Sequence, residues 1–176
     1  SYDHPKYKSN GRYWVGGVWP GKNYMVISGL VNKGYRQLAW DIAMNHYNNV
    51  LEVFRKTGTF WEYYAPEDAA PGFMARRDFV GWTGLPPIAE LIEYIFGIRA
   101  NVEDSRLTID VNLTDAYGVS RYPFGQSGLI DIKVAKRTSK GEKPKVTVKT
   151  NTPMEITLMW GDRQQTTHVR AGTHTL

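Results

Sequence analysis

The sequence predicts a chain that is mainly helical over residues 1–102 and β-rich over 103–176. Three observations carry that expectation. Apolar residues recur three and four apart between about 23 and 97, which is the helical period. They alternate with polar residues after 103, which is the strand period. Between the two, residues 58–83 follow neither period yet are rich in aromatic rings. At 176 residues the chain can bury one ordinary core or two small ones.

Taken in order, residues 1–20 read as a Gly-, Pro- and aromatic-rich loop leading into a helix. The first helix spans Asn23 to about Asn32, on Tyr24, Ile27, Leu30 and Val31, with Gly34 as its stop. A second helix runs from about Tyr35 to Lys56, on Leu38, Ile42, Met44, Tyr47, Val50, Leu51 and Phe54. Arg55 and Lys56 sit in its last turn, and Gly58 follows as the cap. At about 1.5 Å per residue it would run about 30 Å, a length suited to a toroid of paired helices. The segment 58–83 carries Phe60, Trp61, Tyr63, Tyr64, Phe73, Phe79 and Trp82, a composition that argues for an ordered loop lining something. A third helix starts near Pro86-Pro87, where a missing N–H does no harm, and ends at Gly97. Strands are expected on Leu107–Leu113, Leu129–Val134, Val146–Val148 and Ile156–Trp160, with turns at 141–144 and 151–153.

Composition narrows the function. The net charge is +5, and the basic excess falls late, on Lys133, Lys136, Arg137, Lys140, Lys143, Lys145 and Lys149. These alternate along strands and a turn without interleaved stacking aromatics, so a solvated face is expected and no nucleic-acid partner. There is no cysteine, hence no disulfide frame and no thiolate metal site. No apolar run reaches bilayer length, so no membrane partner is expected. The chain has no initiator Met and reaches Tyr13-Trp14 almost at once, so a fragment or a processed product is expected, soluble, with its compartment unassigned and periplasmic or secreted locations left open.

Few residues could carry chemistry. His4, His46, His168 and His174 have no metal-ligand spacing, and His46 reads as a satisfied packing residue within a helix. There is no nucleophile elbow and no phosphate-cradling loop. Asn112-Leu113-Thr114 matches the glycosylation triplet, a weak signal. What remains is Glu62, Glu67, Asp68, Asp78 and Glu90 near several aromatic rings. Glycoside hydrolysis needs two carboxyl groups about the scissile bond, and rings stack on the apolar faces of sugars.

Three blocks sharpen this reading. The first is Tyr13-Trp14-Val15-Gly16-Gly17-Val18-Trp19-Pro20 with Asn23-Tyr24; the second is Asn45–Val50 with Thr57-Gly58-Thr59-Phe60-Trp61-Glu62-Tyr63-Tyr64-Ala65-Pro66-Glu67; the third is Asp78–Ile88. In order and spacing they resemble the last part of the catalytic domain of glycoside hydrolase family 63 and the related trehalase family 37. The resemblance covers about residues 10–100. It implies the last helices of an (α/α)6 barrel over 1–102, followed by the β-rich segment. It implies an inverting, exo-acting α-glucosidase, with Glu62 as general base and an Asp general acid in an upstream motif that this chain does not contain. By the same resemblance Tyr13, Trp14, Gly16, Trp19, Trp61, Tyr64 and Trp82 are the candidate substrate-binding residues. Val15 stands where many members carry Arg, which leaves the identity of the sugar open. Glu67 and Asp78 are expected to brace the loop.

No cofactor and no metal are implied. The expected partners are an oligosaccharide or glucoside substrate and the N-terminal remainder of the barrel. Trehalase, or an α-mannosidase such as a mannosylglycerate hydrolase, is the rival enzyme reading on the same fold. A non-catalytic carbohydrate-binding or structural domain is the rival of a different class.

Overall fold

The computed structural model describes residues 2–176, which fall into two compact units that divide between Tyr94 and Ile95. In the first, α1 (Pro20–Asn32) begins with proline in its first turn, where no N–H is required. Gly34, at φ 86°, turns the chain directly into α2 (Arg36–Thr57). Ala39, Ala43, His46, Val50 and Val53 are the buried residues of α2, four and three apart, so they form one stripe. The helix stops at Gly58, whose left-handed φ of 73° aims its N–H at the Phe54 carbonyl, 2.7 Å away.

The segment after α2 is extended and cross-tied. Trp61 bridges Arg77, and Tyr64 bridges both Val18 and Pro71, all antiparallel. A 3₁₀ turn (Trp82–Gly84) and a π-helix (Leu85–Ile95) follow. Among the described residues no helix is long and apolar enough to cross a membrane.

In the second unit, β1 (Ile98–Asn101), β2 (Arg106–Asp110), β6 (Met154–Trp160) and β7 (Arg163–Val169) form one four-stranded sheet in the order β1-β2-β6-β7. A second sheet runs β3-β4-β5-β8, from β3 (Tyr117–Phe124), β4 (Gly128–Val134), β5 (Val146–Thr150) and β8 (Gly172–Thr175). All pairings are antiparallel except β2 with β6. The inner strands bury alternate residues, among them Leu107, Ile109, Ile156 and Leu158 in one sheet and Ile130, Ile132, Val146 and Val148 in the other. Each such side chain contributes about 1.5–3 kcal/mol by leaving water. The late lysines are exposed, as a solvated face requires. Arg137 is the exception at 5% exposure. Its guanidinium donates to the carbonyls of Val111, Leu113, Lys140 and Glu142 and so fastens the turn at 138–142.

This architecture corrects the expected one. The described residues are not the last helices of an (α/α)6 barrel. They hold three helices of 13, 22 and 11 residues and two sheets of four strands each, and strands outnumber helices. The reason is local. α1 and α2 pack on each other as one hairpin, and the residues that follow cross-tie as extended chain. A toroid needs successive helix pairs, and this chain makes one.

Candidate functional site

The site begins with a tight turn. Arg12 and Val15 exchange backbone hydrogen bonds of 3.2 and 2.8 Å, which leaves Tyr13 and Trp14 at the tip. Tyr13 adopts φ 50°, an uncommon conformation for a residue with a side chain. Its carbonyl accepts the N–H of Gly17 at 3.1 Å and the indole N–H of Trp19 at 3.2 Å. A Cβ on Gly17 would lie 2.3 Å from that carbonyl oxygen, so only glycine lets the chain fold back this closely. Gly16, at φ 96°, has Lys8 O in the same forbidden position, at 2.4 Å. Gly16 therefore supports the turn through its backbone.

The turn places Trp14 on Trp19, with ring centroids 4.3 Å apart and planes 19° from parallel. Trp19 lies in turn on Tyr63 at 4.7 Å and 24°. Tyr13 packs its edge against Trp19 at 5.1 Å, and Trp82 leans on it at 5.7 Å. Such pairs add about 0.5–1.5 kcal/mol each beyond the area they bury. Trp19 is the middle of the pile at 7% exposure, whereas Trp14 presents an open face at 61%. Together Tyr13, Trp14, Trp19 and Trp82 line a pocket of about 320 Å³, completed by Gly21, Lys22 and Met25 of α1.

Glu62 lies on the extended, cross-tied run that follows α2. Its N–H is held by Arg76 O at 2.9 Å, and its carbonyl accepts the indole N–H of Trp82 at 2.7 Å. Thr83 Oγ1 donates to Trp61 O at 2.7 Å, so two consecutive residues of the third motif fix the backbone on either side of Glu62. The carboxylate is half-buried, and among the described residues it accepts no hydrogen bond and pairs with no cation. It joins the pocket through the Trp82 backbone tie, and the pocket lining does not include it.

The other expected ligand-binding rings face elsewhere. Trp61 and Tyr64 pack against Val50 and Val53 of α2. The Trp61 indole donates to Thr57 Oγ1 at 3.0 Å. The Tyr64 hydroxyl is pushed up to about 12 by burial, with the Trp61 N–H that it accepts acting in the opposite direction. Tyr64 also borders a second pocket of about 430 Å³, with Asn23, Asn45, His46, Asn49 and Glu67. His46, 6% exposed, sets Nδ1 at 3.0 Å from both oxygens of fully buried Glu90 in the π-helix, while its Nε2 has no partner among the described residues. Asp78 accepts Thr59 Oγ1 at 2.7 Å, and Glu67 accepts the Tyr7 hydroxyl at 3.0 Å. Asn112 is buried against Asp110. Among the described residues no group of His, Cys, Asp and Glu is arranged to hold a metal ion.

Sequence reasoning missed Tyr63, the base of the pile, and Lys22 and Met25 on the pocket wall. The signal for Lys22 and Met25 is spacing: 19, 22 and 25 are three apart, one face of a helix entered at Trp19. Lys22 stands in the first turn of α1, the end where a cation is least favourable, with no acidic neighbour in that turn and no ion pair among the described residues.

Comparison with known proteins agrees with the N-terminal motifs. The mannosylglycerate hydrolase MGH1-like glycoside hydrolase domain matches residues 1–83. A probable mannosyl-oligosaccharide glucosidase of Schizosaccharomyces pombe is 34% identical over 83 residues, covering 42% of this chain and 10% of that protein. Alpha-glucosidase 2 of Arabidopsis thaliana is 32% identical over 83 residues, again 42% of this chain and 10% of that protein. Mannosylglycerate hydrolase MGH1 of Selaginella moellendorffii is 35% identical over 82 residues, 47% of this chain and 15% of that protein. The chain therefore spans a small part of the length of the curated relatives it matches. No solved structure matches. The resemblance to a family 63 type glycosidase, read from the motifs, is borne out over the first half of the chain.

Proposed function

We propose that this chain, whose first half carries the sequence of a family 63 type glycoside hydrolase domain, supplies the general base of an inverting, exo-acting α-glycosidase. The observation that carries the reading is Glu62. Its backbone is held from both sides, and its carboxylate accepts no hydrogen bond among the described residues. A general base needs that freedom, because it must accept a proton from a water placed within hydrogen-bond reach. The aromatic pocket would hold the sugar, with Trp14 offering a ring face and Tyr13 and Trp82 closing the sides. Glu62 would deprotonate water at the anomeric carbon while a carboxylic acid from another part of the protein protonates the leaving oxygen. Inversion leaves room for that water, with the two carboxyl groups about 6.5–9.5 Å apart. No step calls for a cofactor.

The same reading makes the chain inactive by itself and dependent on the remainder of its catalytic domain. α1 and α2 expose Met25, Val26, Leu38 and Phe54, apolar side chains that a further segment would cover.

An α-linked glucose is the first choice of substrate. A second reading, an α-mannoside such as mannosylglycerate, is favoured by the matching domain and by the Selaginella relatives. The test is the anomeric configuration of the first product. Proton NMR during hydrolysis of matched α-glucosides and α-mannosides by the complete enzyme should show the β-anomer first, from one of the two sugars. An α-anomer would exclude inversion, and absence of turnover on both would exclude the glycosidase reading.

A further inference from the structure

We infer that Tyr63 is a positioning residue for the reaction: it holds the backbone of Glu62 at a fixed place relative to the rings that stack on the sugar. The inference rests on reading Glu62 as the general base. Tyr63 follows Glu62 directly and is 2% exposed. Its ring and its hydroxyl do different things. The ring ends the pile that starts at the open face of Trp14. Trp19 lies between them, its ring centroid 4.3 Å from that of Trp14 and 4.7 Å from that of Tyr63. Tyr13 meets the Tyr63 ring edge-on at 6.0 Å. The hydroxyl leaves the pile and donates to the carbonyl of Phe73 at 2.7 Å.

That bond fastens the turn that holds Glu62. The Ala75 N–H closes the turn on Gly72 O at 2.9 Å. At its far end Arg76 O accepts the N–H of Glu62 at 2.9 Å, and at its near end the Gly72 N–H donates to the carbonyl of Tyr63 at 3.0 Å. Both ends of one turn therefore grip the Glu62–Tyr63 backbone, and the Tyr63 hydroxyl grips the turn between them. The Phe73 N–H also reaches the carbonyls of Asn10 and Gly11, at 3.0 and 2.9 Å, just ahead of the tight turn that carries Tyr13 and Trp14. The turn comes this close because residue 72 is glycine: a Cβ there would lie 2.3 Å from the Tyr63 ring. Tyr63 thus touches the pile with its ring and the turn with its hydroxyl. Loss of the hydroxyl loosens the turn and leaves the pile standing. A reacting group displaced by about 1 Å can cost about 10²-fold in rate. One neutral hydrogen bond among several ties is worth about two- to tenfold, which sets the size of the effect.

The experiment uses the complete enzyme and a nitrophenyl α-glycoside of the sugar it cleaves. Four proteins are compared: the parent, Tyr63→Phe, Glu62→Gln, and the double variant. Phenylalanine keeps the ring and its place in the pile, so the substitution removes the hydroxyl alone. In Tyr63→Phe kcat should fall about three- to tenfold while KM stays within about twofold. Glu62→Gln and the double variant are assayed with azide, a nucleophile that needs no base. They should react at the same rate, because a residue that acts only by placing the Glu62 carboxylate has nothing left to act on. A kcat in Tyr63→Phe equal to that of the parent overturns the inference. So does a raised KM with kcat unchanged, or an azide reaction slowed by the same factor as the parent reaction, since each places the hydroxyl in sugar binding or in general stability. Glu62→Gln as active as the parent removes the general-base reading and the inference with it, and that outcome is seen without any change at position 63.

Discussion

The indole N–H of Trp82 donates to the main-chain carbonyl of Glu62 at 2.7 Å, so a ring on the wall of the aromatic pocket also fixes the backbone of Glu62. This bond couples the second motif to the third across 20 residues.

Removing only the donor tests that coupling. Trp82→Phe keeps an aromatic wall and deletes the N–H. A neutral hydrogen bond is worth about 0.5–1.5 kcal/mol, so kcat of the complete enzyme should fall by up to about tenfold. KM should move less, because a ring remains for the sugar. Steady-state kinetics on one α-glycoside checks both.

The pile of rings separates stability from binding. Trp19→Ala empties the middle of the stack and should cost about 3–5 kcal/mol in denaturant unfolding. Trp14→Ala removes an exposed ring and should cost far less stability while weakening sugar binding. Equal losses of stability would show that Trp14 is as much a core residue as Trp19.

The contact between His46 and Glu90 ties α2 to the π-helix inside the first unit. His46→Leu leaves the fully buried Glu90 carboxylate without this partner and should destabilise by about 3–5 kcal/mol. His46→Leu with Glu90→Leu should recover part of that loss. Chemical denaturation of the two variants and the parent measures the difference.

Acid should loosen the turn at 138–142. Hydrogen bonds from the N–H and hydroxyl of Thr138 to Glu142 hold its carboxyl below the usual carboxylate range. A group whose pKa is lower in the folded state contributes stability that is complete above its unfolded value, 4.5 here. That contribution is lost as pH falls through the depressed folded value. Glu142→Gln should therefore match the parent less well at neutral pH than at low pH. Hydrogen exchange of the Thr138 amide on both sides of pH 4.5 reads it out.

The parts of the fold that were legible share one physical trait. β2, β4, β5 and β6 are the inner strands of the two sheets, and each buries one face, so their sequences alternate. β1, β3, β7 and β8 are the four edges, and all escaped the reading. Arg163–Val169 is polar on both faces, as an exposed edge allows. The helices α1 and α2 were legible from three-and-four spacing and from Gly58. The π-winding of Leu85–Ile95 was not, since an apolar stripe of that length fits either winding. The barrel expectation failed because it came from a resemblance to a whole domain, whereas these residues make a single helix hairpin. At the site, Tyr13, Trp14, Trp19 and Trp82 were singled out through their motif, and the four line one pocket. Tyr63 was not found, because a buried Tyr beside a Glu carries no pattern of its own, and Lys22 was not found, because its spacing from Trp19 shows only once the helix is known to start at Pro20.

The role of Glu62 is tested most directly by Glu62→Gln in the complete enzyme. The amide keeps the size of the side chain and removes the basic oxygen. Turnover should fall about 10²–10⁴-fold with KM nearly unchanged, and azide should restore reaction of an activated α-glycoside to give the β-glycosyl azide. A variant that turns over within a few-fold of the parent, with Asp78→Asn inactive instead, would contradict the assignment.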